Sequence, residues 1–457
     1  MISHVDRHRK VMLDLFTVDD YTVGTRHGLK ESSGELDVEQ TLAQLLKQDL
    51  TFQGEKTKYA THNIHAFAAK FPPQLPNLFI HRLTSIGERI LDPMVGSGTT
   101  MVEAVIAGRC AIGIDLDPLA VIISKVKSMP FDLLRCIQIG TQVLQEARKT
   151  FSSVTSEEIG QFYSPEALEF FRYWFEERTI LELYTLVRAI HKVRDTEVRS
   201  LLKVVFSSTI ITKTGGLSRA RDLAHSRPHR DPNKHVRQSA FEAFKDRLYK
   251  AVESLNDIVS APGRSAVIRA DARRLPLPDD SIHLIVTSPP YAANAIDYIR
   301  AHKFSLIWFG YPPRTLTDLR RRYIGAELRS SNLRFTSETA NYVVRSLRRE
   351  DERRADVVAH YFHDMDVALR EMFRVLVPGR VAVLVVGSSV IRGIEIKAPI
   401  VFAELANSIG FHVVGITERE IVRDSRMMPV SRNSNYSGIE ARMHREGVIG
   451  LVKPLRS

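Results

Sequence analysis

Thr287-Ser288-Pro289-Pro290-Tyr291 places a hydroxyl, a stiffened backbone and an aromatic ring on five consecutive residues. The apolar run Ile282-His283-Leu284-Ile285-Val286 ahead of it reads as a buried parallel strand. Neither proline can donate to a sheet ladder, so the strand ends there, and the residue before each proline is held extended. The chain therefore leaves the sheet stiff. It carries a serine hydroxyl and backbone carbonyls to the carboxyl edge, which is where open α/β sheets bind ligands. Such residues can grip a planar ligand, with acceptors for its N–H groups and a ring to stack on it. An ordinary strand-to-loop turn could use the same residues.

A second motif is Asp92-Pro93-Met94-Val95-Gly96-Ser97-Gly98-Thr99-Thr100, between a strand at Arg89-Ile90-Leu91 and a helix from Met101 to Ala107. Gly96 and Gly98 permit positive φ and close approach of a ligand. The helix beyond begins with unpaired backbone N–H groups at the positive end of its dipole, which suits a carboxylate. A phosphate loop needs a lysine that Thr99-Thr100 does not supply, and the glycine spacing is wrong for a dinucleotide fingerprint. The next strand, Cys110 to Ile114, ends on Asp115, about 20 residues beyond the glycines and placed to accept both ribose hydroxyls of an adenosine. An N-cap for the helix from Pro118 is the plain alternative for Asp115 or Asp117. Both roles hold together if Asp117 caps and Asp115 binds.

Together the two motifs resemble the S-adenosylmethionine-dependent DNA amino-methyltransferases, which methylate the exocyclic amine of cytosine (N4) or adenine (N6). Ser-Pro-Pro-Tyr is most similar to the N4-cytosine branch; adenine enzymes more often carry Asp or Asn in place of this Ser288. The resemblance spans roughly 62–125 and 266–300, and 357–453 loosely, with the cofactor loop ahead of the catalytic motif. It implies S-adenosyl-L-methionine as cofactor. It also implies that Lys70 and Phe71 pack against the methionine end and that Asp92 lies near the cofactor's amino group. Pro93, Gly96, Ser97, Gly98, Thr99 and Thr100 then form the loop around it, Asp115 binds the ribose, and Asp271 lies near the adenine amine. The catalytic residues would be Ser288, Pro289, Pro290 and Tyr291. The Ser288 hydroxyl and Pro289 carbonyl would localise the lone pair of the target amine, and Tyr291 would stack on a base flipped out of the duplex. No covalent intermediate is needed. C5-cytosine methylation uses a cysteine in a Pro-Cys context, whereas Cys110 and Cys136 each follow an arginine.

The chain has 457 residues, 44% of them hydrophobic, which allows a sizeable core. A net charge of +11 and a pI near 9.6 favour a polyanionic partner. Two cysteines are too few for a disulfide framework or a zinc site, so a reducing cytoplasm, and association with the nucleoid, is expected. Met1 to Lys10 has no apolar signal core, and no apolar run approaches the ~20 residues that span a bilayer. We expect double-stranded DNA and a cognate restriction endonuclease as partners, and neither a metal nor a membrane.

The expected fold is α/β: a Rossmann-like methyltransferase sheet, mostly parallel, with an antiparallel edge hairpin and a large helical insertion. Residues 1–60 form a helical extension whose Leu36–Leu50 stretch has helical spacing. Residues 61–129 and 261–457 form the catalytic domain, with a helix at Leu75–Leu83. Residues 130–260 form the insertion, with helices at Pro165–Phe175, Leu181–Val193, Val198–Ile210 and Phe241–Val259. The insertion's aromatic cluster (Tyr163, Phe170, Phe171, Tyr173, Trp174, Phe175) reads as core rather than as a base-stacking platform. Between its helices, Lys213-Thr214-Gly215-Gly216 leads to Arg219, Arg221, Arg227, Arg230, Lys234 and Arg237, opposed by Asp222 and Asp231. A glycine pair with dense cations suggests a flexible loop over a phosphate backbone, making this a candidate target-recognition element. Its histidines lack the partners of a metal site.

Strands follow at Ala266–Ile268 and Ile282–Val286. Beyond Tyr291, Asn294, Asp297 and Tyr298 either line the base pocket or cap the following helix; Asn294 is a candidate DNA contact. Arginine-rich residues 314–355 read as a mobile segment touching DNA. A helix at Val357–Leu376, stopped by Pro378-Gly379, precedes a strand at Val381–Val386, a helix at Ala398–Ile409 and strands at Phe411–Ile416 and Val448–Lys453. Arg423–Arg442 is either a substrate-side loop or plain surface. Competing functions are an N6-adenine DNA or RNA amino-methyltransferase, and a non-catalytic nucleic-acid-binding protein of the same fold.

Overall fold

The computed structural model describes residues 37–223, 228–292, 297–326, 333–421 and 444–456. Its opening elements are α1 (Val38–Leu46), α2 (Gln74–Leu83), β1 (Arg89–Asp92), α3 (Thr99–Ile106), β2 (Cys110–Asp115) and α4 (Pro118–Ser128). The insertion contributes α5 (Leu133–Phe151), α6 (Ser156–Phe162), α7 (Pro165–Trp174), α8 (Glu177–Lys192), α9 (Thr196–Ile210) and α10 (Ala240–Val259). The sheet resumes with β3 (Arg264–Arg269) and β4 (Ile282–Thr287), then α11 (Tyr298–Leu306), α12 (Pro313–Arg322), α13 (Glu338–Glu350) and α14 (Glu352–Val375). The chain continues with β5 (Leu376–Gly387), a short hairpin of β6 (Val390–Ile391) and β7 (Ile394–Glu395), α15 (Ala398–Ile409), β8 (His412–Glu420) and β9 (Arg445–Val452).

One seven-stranded sheet has the order β3-β2-β1-β4-β5-β9-β8. The first five strands are parallel, and β9 runs antiparallel between β5 and β8. Strand order reverses between β1 and β4, so the carboxyl ends of those two strands bound the crevice where such sheets take ligands. Successive strand residues face opposite sides. Leu91, Ile285 and Leu384 pack with Tyr361, Phe362 and Phe402 of α14 and α15 on one face. Ile90, Leu284 and Val383 pack with Leu42, Phe79 and Met101 of α1, α2 and α3 on the other. Coverage of both faces explains why β4 and β5 are nearly continuous apolar runs.

Several helices begin where side-chain acceptors satisfy their first N–H groups. Asp117 caps α4, with Pro118 in the first turn, and Ser164 caps α7 ahead of Pro165. Asp132, Asp195 and Ser239 cap α5, α9 and α10. Of the insertion's aromatics, Tyr163, Phe171 and Phe175 are core, as expected, and Phe170 and Trp174 are half-buried, whereas Tyr173 is exposed and so does not belong to the core. Phe171 stacks on Trp308 with centroids 3.7 Å apart, and the Tyr163 hydroxyl donates to the Trp308 carbonyl at 2.8 Å. These contacts join the insertion to the segment that follows Tyr291.

Three expectations need correction. Within 314–355, the stretches Pro313–Arg322 and Glu338–Glu350 are helices rather than a mobile segment, because Leu316, Leu319, Val343 and Leu347 are buried on one side of each. Pro378-Gly379 does not stop α14, which ends at Val375; the strand has already begun at Leu376. The pair sits in an irregularity of the β4–β5 ladder instead, with Gly379 at φ +80°. The Gly215-Gly216 pair is not a flexible hinge. A Cβ on Gly216 would lie 2.1 Å from the Thr209 carbonyl oxygen, and one on Gly215 would lie 1.9 Å from the Ala220 oxygen. Gly216→Ala is therefore expected to destabilise the protein by about 1–3 kcal/mol, the range for overpacking. A thermal melt superimposable on wild type would show that the turn has room after all.

Candidate active-site cleft

The crevice at the β1/β4 ends encloses about 1030 Å³, including its open mouth. Its floor and walls come from the turn after β1, the tips of β2 and β3, the segment after β4, the stretch Phe67–Phe71, and Tyr298, Tyr323 and Ile324. The two motifs meet directly: the Thr287 hydroxyl donates to Asp92 Oδ1 at 2.7 Å, tying the ends of β4 and β1 together.

The glycine turn is shaped by what lies beneath it. Gly96 and Gly98 have φ of +47° and +77°, and a Cβ on Gly98 would meet Ser124 at 3.0 Å. Carbonyls of the turn are drawn toward α4. Ser124 Oγ donates to the Gly96 oxygen at 2.9 Å, and Lys127 Nζ donates to the Ser97 oxygen at 2.6 Å. Lys127 is 1% exposed, and burial holds its pKa well below the usual lysine range. Anchoring these carbonyls from behind fixes the turn at the N-terminus of α3, where the first N–H groups have no intrahelical partner.

Asp115 sits at the tip of β2. Its Oδ2 accepts the Gly96 N–H and its Oδ1 the Asp117 N–H, each at 2.9 Å. A carboxylate offers about four acceptor positions, so two remain for a ligand. Burial first, and the neighbouring Asp117 second, raise its pKa to about 7. Asp92 is likewise raised, to about 6, chiefly by burial. Asp117 caps α4 and also pairs with the buried His302 of α11 at 2.6 Å. Both Asp115 and Asp117 line the cleft, and only Asp117 caps α4.

Of the other sequence-picked residues, Lys70, Phe71, Asp92, Pro93, Gly96, Ser97, Thr99, Asp271, Ser288, Pro290 and Tyr291 all line the cleft. Gly98, Thr100 and Pro289 are not among the residues lining the cleft, although Pro289 lies between Ser288 and Pro290, which are, and the Thr100 hydroxyl donates to the Val286 carbonyl at 3.2 Å. Lys70 Nζ donates to the His62 carbonyl at 2.9 Å, and burial lowers its pKa to about 8 with help from the charge of Lys213. Asp271 reaches the cleft, but both of its oxygens accept from the Arg273 guanidinium, at 2.9 and 2.7 Å. Arg273 holds its carboxyl below the ordinary range. The Ser288–Tyr291 segment is fastened at its C-terminal end: the Tyr361 hydroxyl donates to the Pro290 carbonyl at 2.9 Å, and the Tyr291 hydroxyl donates to Glu446 at 2.5 Å. Neither cysteine lines the cleft.

Sequence reasoning missed Phe67, Tyr323 and His302 as parts of this site. Phe67 lies 5.1 Å from Tyr298 and 5.3 Å from His302 between ring centroids, and the Tyr323 hydroxyl is buried beside Asp117. Tyr298 lines the cleft, whereas Asp297 does not cap α11; its carboxylate takes Arg300 and Arg320. His302 follows Tyr298 by one helical turn, and that spacing was the available signal.

The basic loop divides. Lys213, Arg221 and Arg237 are exposed, with Arg221 3.7 Å from Asp231. Arg230 lies 4.8 Å over the Tyr173 ring. Arg219 is half-buried and lines a second cavity between α7 and α8. Lys234 is spent internally: its Nζ donates to the carbonyls of Thr214, Gly216 and Ala220 at 2.5, 3.2 and 2.8 Å. Arg227, Asn294 and residues 423–442 lie outside the described residues.

With this geometry in place, comparison with known proteins points one way. Residues 13–125 match the DNA methylase family of the N6/N4 type. The type II methyltransferase M.MvaI of Kocuria varians is 23% identical over 425 residues, covering 85% of this chain and 91% of that protein. The type II methyltransferase M.AvaI of Nostoc sp. is 25% identical over 410 residues, covering 81% and 82%. The type II methyltransferase M.MjaII of Methanocaldococcus jannaschii is 34% identical over 110 residues, covering 24% and 21%.

Proposed function

We propose that this chain, an S-adenosylmethionine-dependent DNA methyltransferase of the N6/N4 type, methylates the N4 amine of cytosine at a specific site in double-stranded DNA. Its setting would be the cytoplasm, as the modification partner of a restriction endonuclease or in another phage-defence system. The relatives' designation as type II methyltransferases supports that setting. The observation that carries the base assignment is Ser288 at the tip of β4, a neutral hydroxyl where the adenine enzymes more often place Asp or Asn.

The residues present fit the cofactor. Asp115 keeps two acceptor positions for the ribose hydroxyls. Phe67, Tyr298 and Tyr323 supply aromatic wall. The Gly96–Thr99 turn and the N-terminus of α3 would take the methionine carboxylate, with Lys70 and Phe71 alongside. Asp271, occupied by Arg273, would shape the adenine pocket rather than donate a free carboxylate.

S-adenosylmethionine supplies a methyl group already activated on its sulfonium. The protein's contribution is orientation, an effect that reaches ~7–11 kcal/mol. Ser288 and the Pro289 carbonyl accept the N–H bonds of the target amine and localise its lone pair. Tyr291 stacks on the extruded base, for about 1–3 kcal/mol. Lys213, Arg221, Arg230 and Arg237 hold the duplex by its phosphates.

Labelled S-adenosylmethionine with unmethylated genomic DNA, followed by nucleoside mass spectrometry, tests the proposal. Labelled N4-methylcytosine is expected. Labelled N6-methyladenine would overturn the base assignment, and label in RNA alone the DNA assignment.

Cofactor binding should also depend on pH. Hydroxyl donors favour the ionised form of Asp115, whose proton leaves near pH 7. Affinity should therefore fall by up to about tenfold per pH unit below 7 and level off above it. The sign for folding is opposite. A carboxyl raised from 3.8 favours its protonated form in the fold, so the empty protein loses stability as pH rises from about 4 toward 7. Titration calorimetry at pH 6 and pH 8 reads the first effect, and the slope should vanish in Asp115→Asn. A slope that persists in that variant would assign it to another group.

A further inference from the structure

The cofactor and motif residues account for one side of Tyr291; its hydroxyl points to a group from the far end of the chain. That hydroxyl donates to Glu446 Oε1 at 2.5 Å, and Tyr291 is only 8% exposed. Glu446 is the second residue of β9, two strands away from β4 in the sheet order. Strands lie about 4.8 Å apart, so the contact must cross β5, a span of roughly 10 Å that a tyrosine and a glutamate reach together. The residue beside Glu446 on β5 is Gly387. Directly opposed residues share a face, and the missing side chain there leaves the crossing open.

Glu446 is itself held. Its Oε2 pairs with Arg419 Nη1, and Arg419 is its register partner on β8. Arg419 is 4% exposed, and its Nε donates to the Leu50 carbonyl at 3.0 Å. A half-buried carboxylate fixed by a buried guanidinium therefore receives the tyrosine hydroxyl. Its charge makes the accepted hydrogen bond stronger than a neutral one. A ring anchored at its para position cannot swing about its side-chain bonds, so its face stays where it was set.

We propose that Glu446 is a positioning residue for the methyl-transfer reaction, acting through the Tyr291 hydroxyl to hold that ring in the orientation that stacks on the flipped base. This rests on the reading of Tyr291 as the stacking residue. Glu446 touches neither cofactor nor base, and Arg419 acts behind it.

A double-mutant cycle tests the proposal. Tyr291→Phe removes the hydroxyl while leaving the Glu446–Arg419 pair intact. Glu446→Gln keeps an acceptor of the same shape, and Glu446→Ala removes it. Tyr291→Phe and Glu446→Ala should each lower kcat about tenfold or more, the scale of one hydrogen bond to a charged group. The cofactor Kd should not change. The double variant should be no slower than the worse single one, because both remove the same contact. Glu446→Gln should recover most of the loss.

Multiplicative effects in the double variant, wild-type turnover in Tyr291→Phe, or a loss confined to cofactor affinity would each overturn the positioning role. Tyr291→Ala separates this from failure of the underlying assignment. If it retains wild-type turnover, the stacking role itself is wrong. If it is inactive while the cycle is multiplicative, only the role of Glu446 falls.

Discussion

Asp115→Asn should bind S-adenosylmethionine about 100-fold more weakly than the wild-type chain. The amide keeps the size of the side chain but loses the charge and converts one acceptor oxygen into a donor. Two hydrogen bonds from ribose hydroxyls to a carboxylate are worth about 1.5–3 kcal/mol each, and 1.4 kcal/mol is about tenfold, so the lower end already gives two orders of magnitude. A second loss adds to this. The new NH₂ group must face either the Gly96 or the Asp117 N–H, both of which now donate to Asp115 at 2.9 Å, so the turn loosens as well. Calorimetry with S-adenosylhomocysteine measures the effect without turnover. A Kd within threefold of wild type would mean that the ribose lies elsewhere.

Ser288→Ala should leave that Kd unchanged and reduce kcat about 10²- to 10³-fold, the usual loss when one preorganised hydrogen-bonding group aimed at developing charge is removed. The substitution is small and the surrounding segment is secured independently, by Tyr361 on the Pro290 carbonyl and by Thr287 on Asp92. A fold defect is therefore not expected to mimic the loss. Single-turnover methylation with saturating cofactor is the appropriate measurement. Turnover within a factor of three of wild type would leave the Pro289 carbonyl as the only acceptor at the target amine and would remove the reason for preferring cytosine.

Much of the site was legible because chemistry and element boundaries coincide in the sequence. Asp92, Asp115 and Ser288 each follow an apolar run, and a parallel sheet carries the ends of such runs to one edge. The same coincidence located most sheet strands and the principal insertion helices, although Leu133–Phe151 and Ser156–Phe162 had no prior assignment. Contacts made by register rather than by local spacing were hidden. Glu446 lies 155 residues from Tyr291 and His302 lies 185 from Asp117, and no periodicity links such pairs. The glycine pair of the basic loop misled for a related reason. Flexibility was inferred from the residue type, whereas these glycines are present because the Thr209 and Ala220 carbonyls leave no room for a Cβ. Lys234 misled similarly, as a cation that binds three carbonyls of its own loop looks in sequence like one reserved for phosphate.

The docking of α1 has a consequence for the order of events during synthesis. Leu42 and Leu46 pack under Gly450, the Leu46 carbonyl accepts from Thr417, and the Leu50 carbonyl accepts from Arg419, partners about 370 residues later in the chain. At about 5–20 residues per second, a ribosome needs some tens of seconds to deliver them. During that interval the side of α1 that meets β8 and β9 lacks its native cover, although α2 is already there to pack against the helix, and the guanidinium that fixes Glu446 has not yet been made. Completion of the β8–β9 edge is thus the step that closes α1 and the anchor of Tyr291 together. A chain arrested before that edge would lack both, so an incompletely synthesised chain would be marked by a partly exposed apolar helix as well as by a loosened cleft.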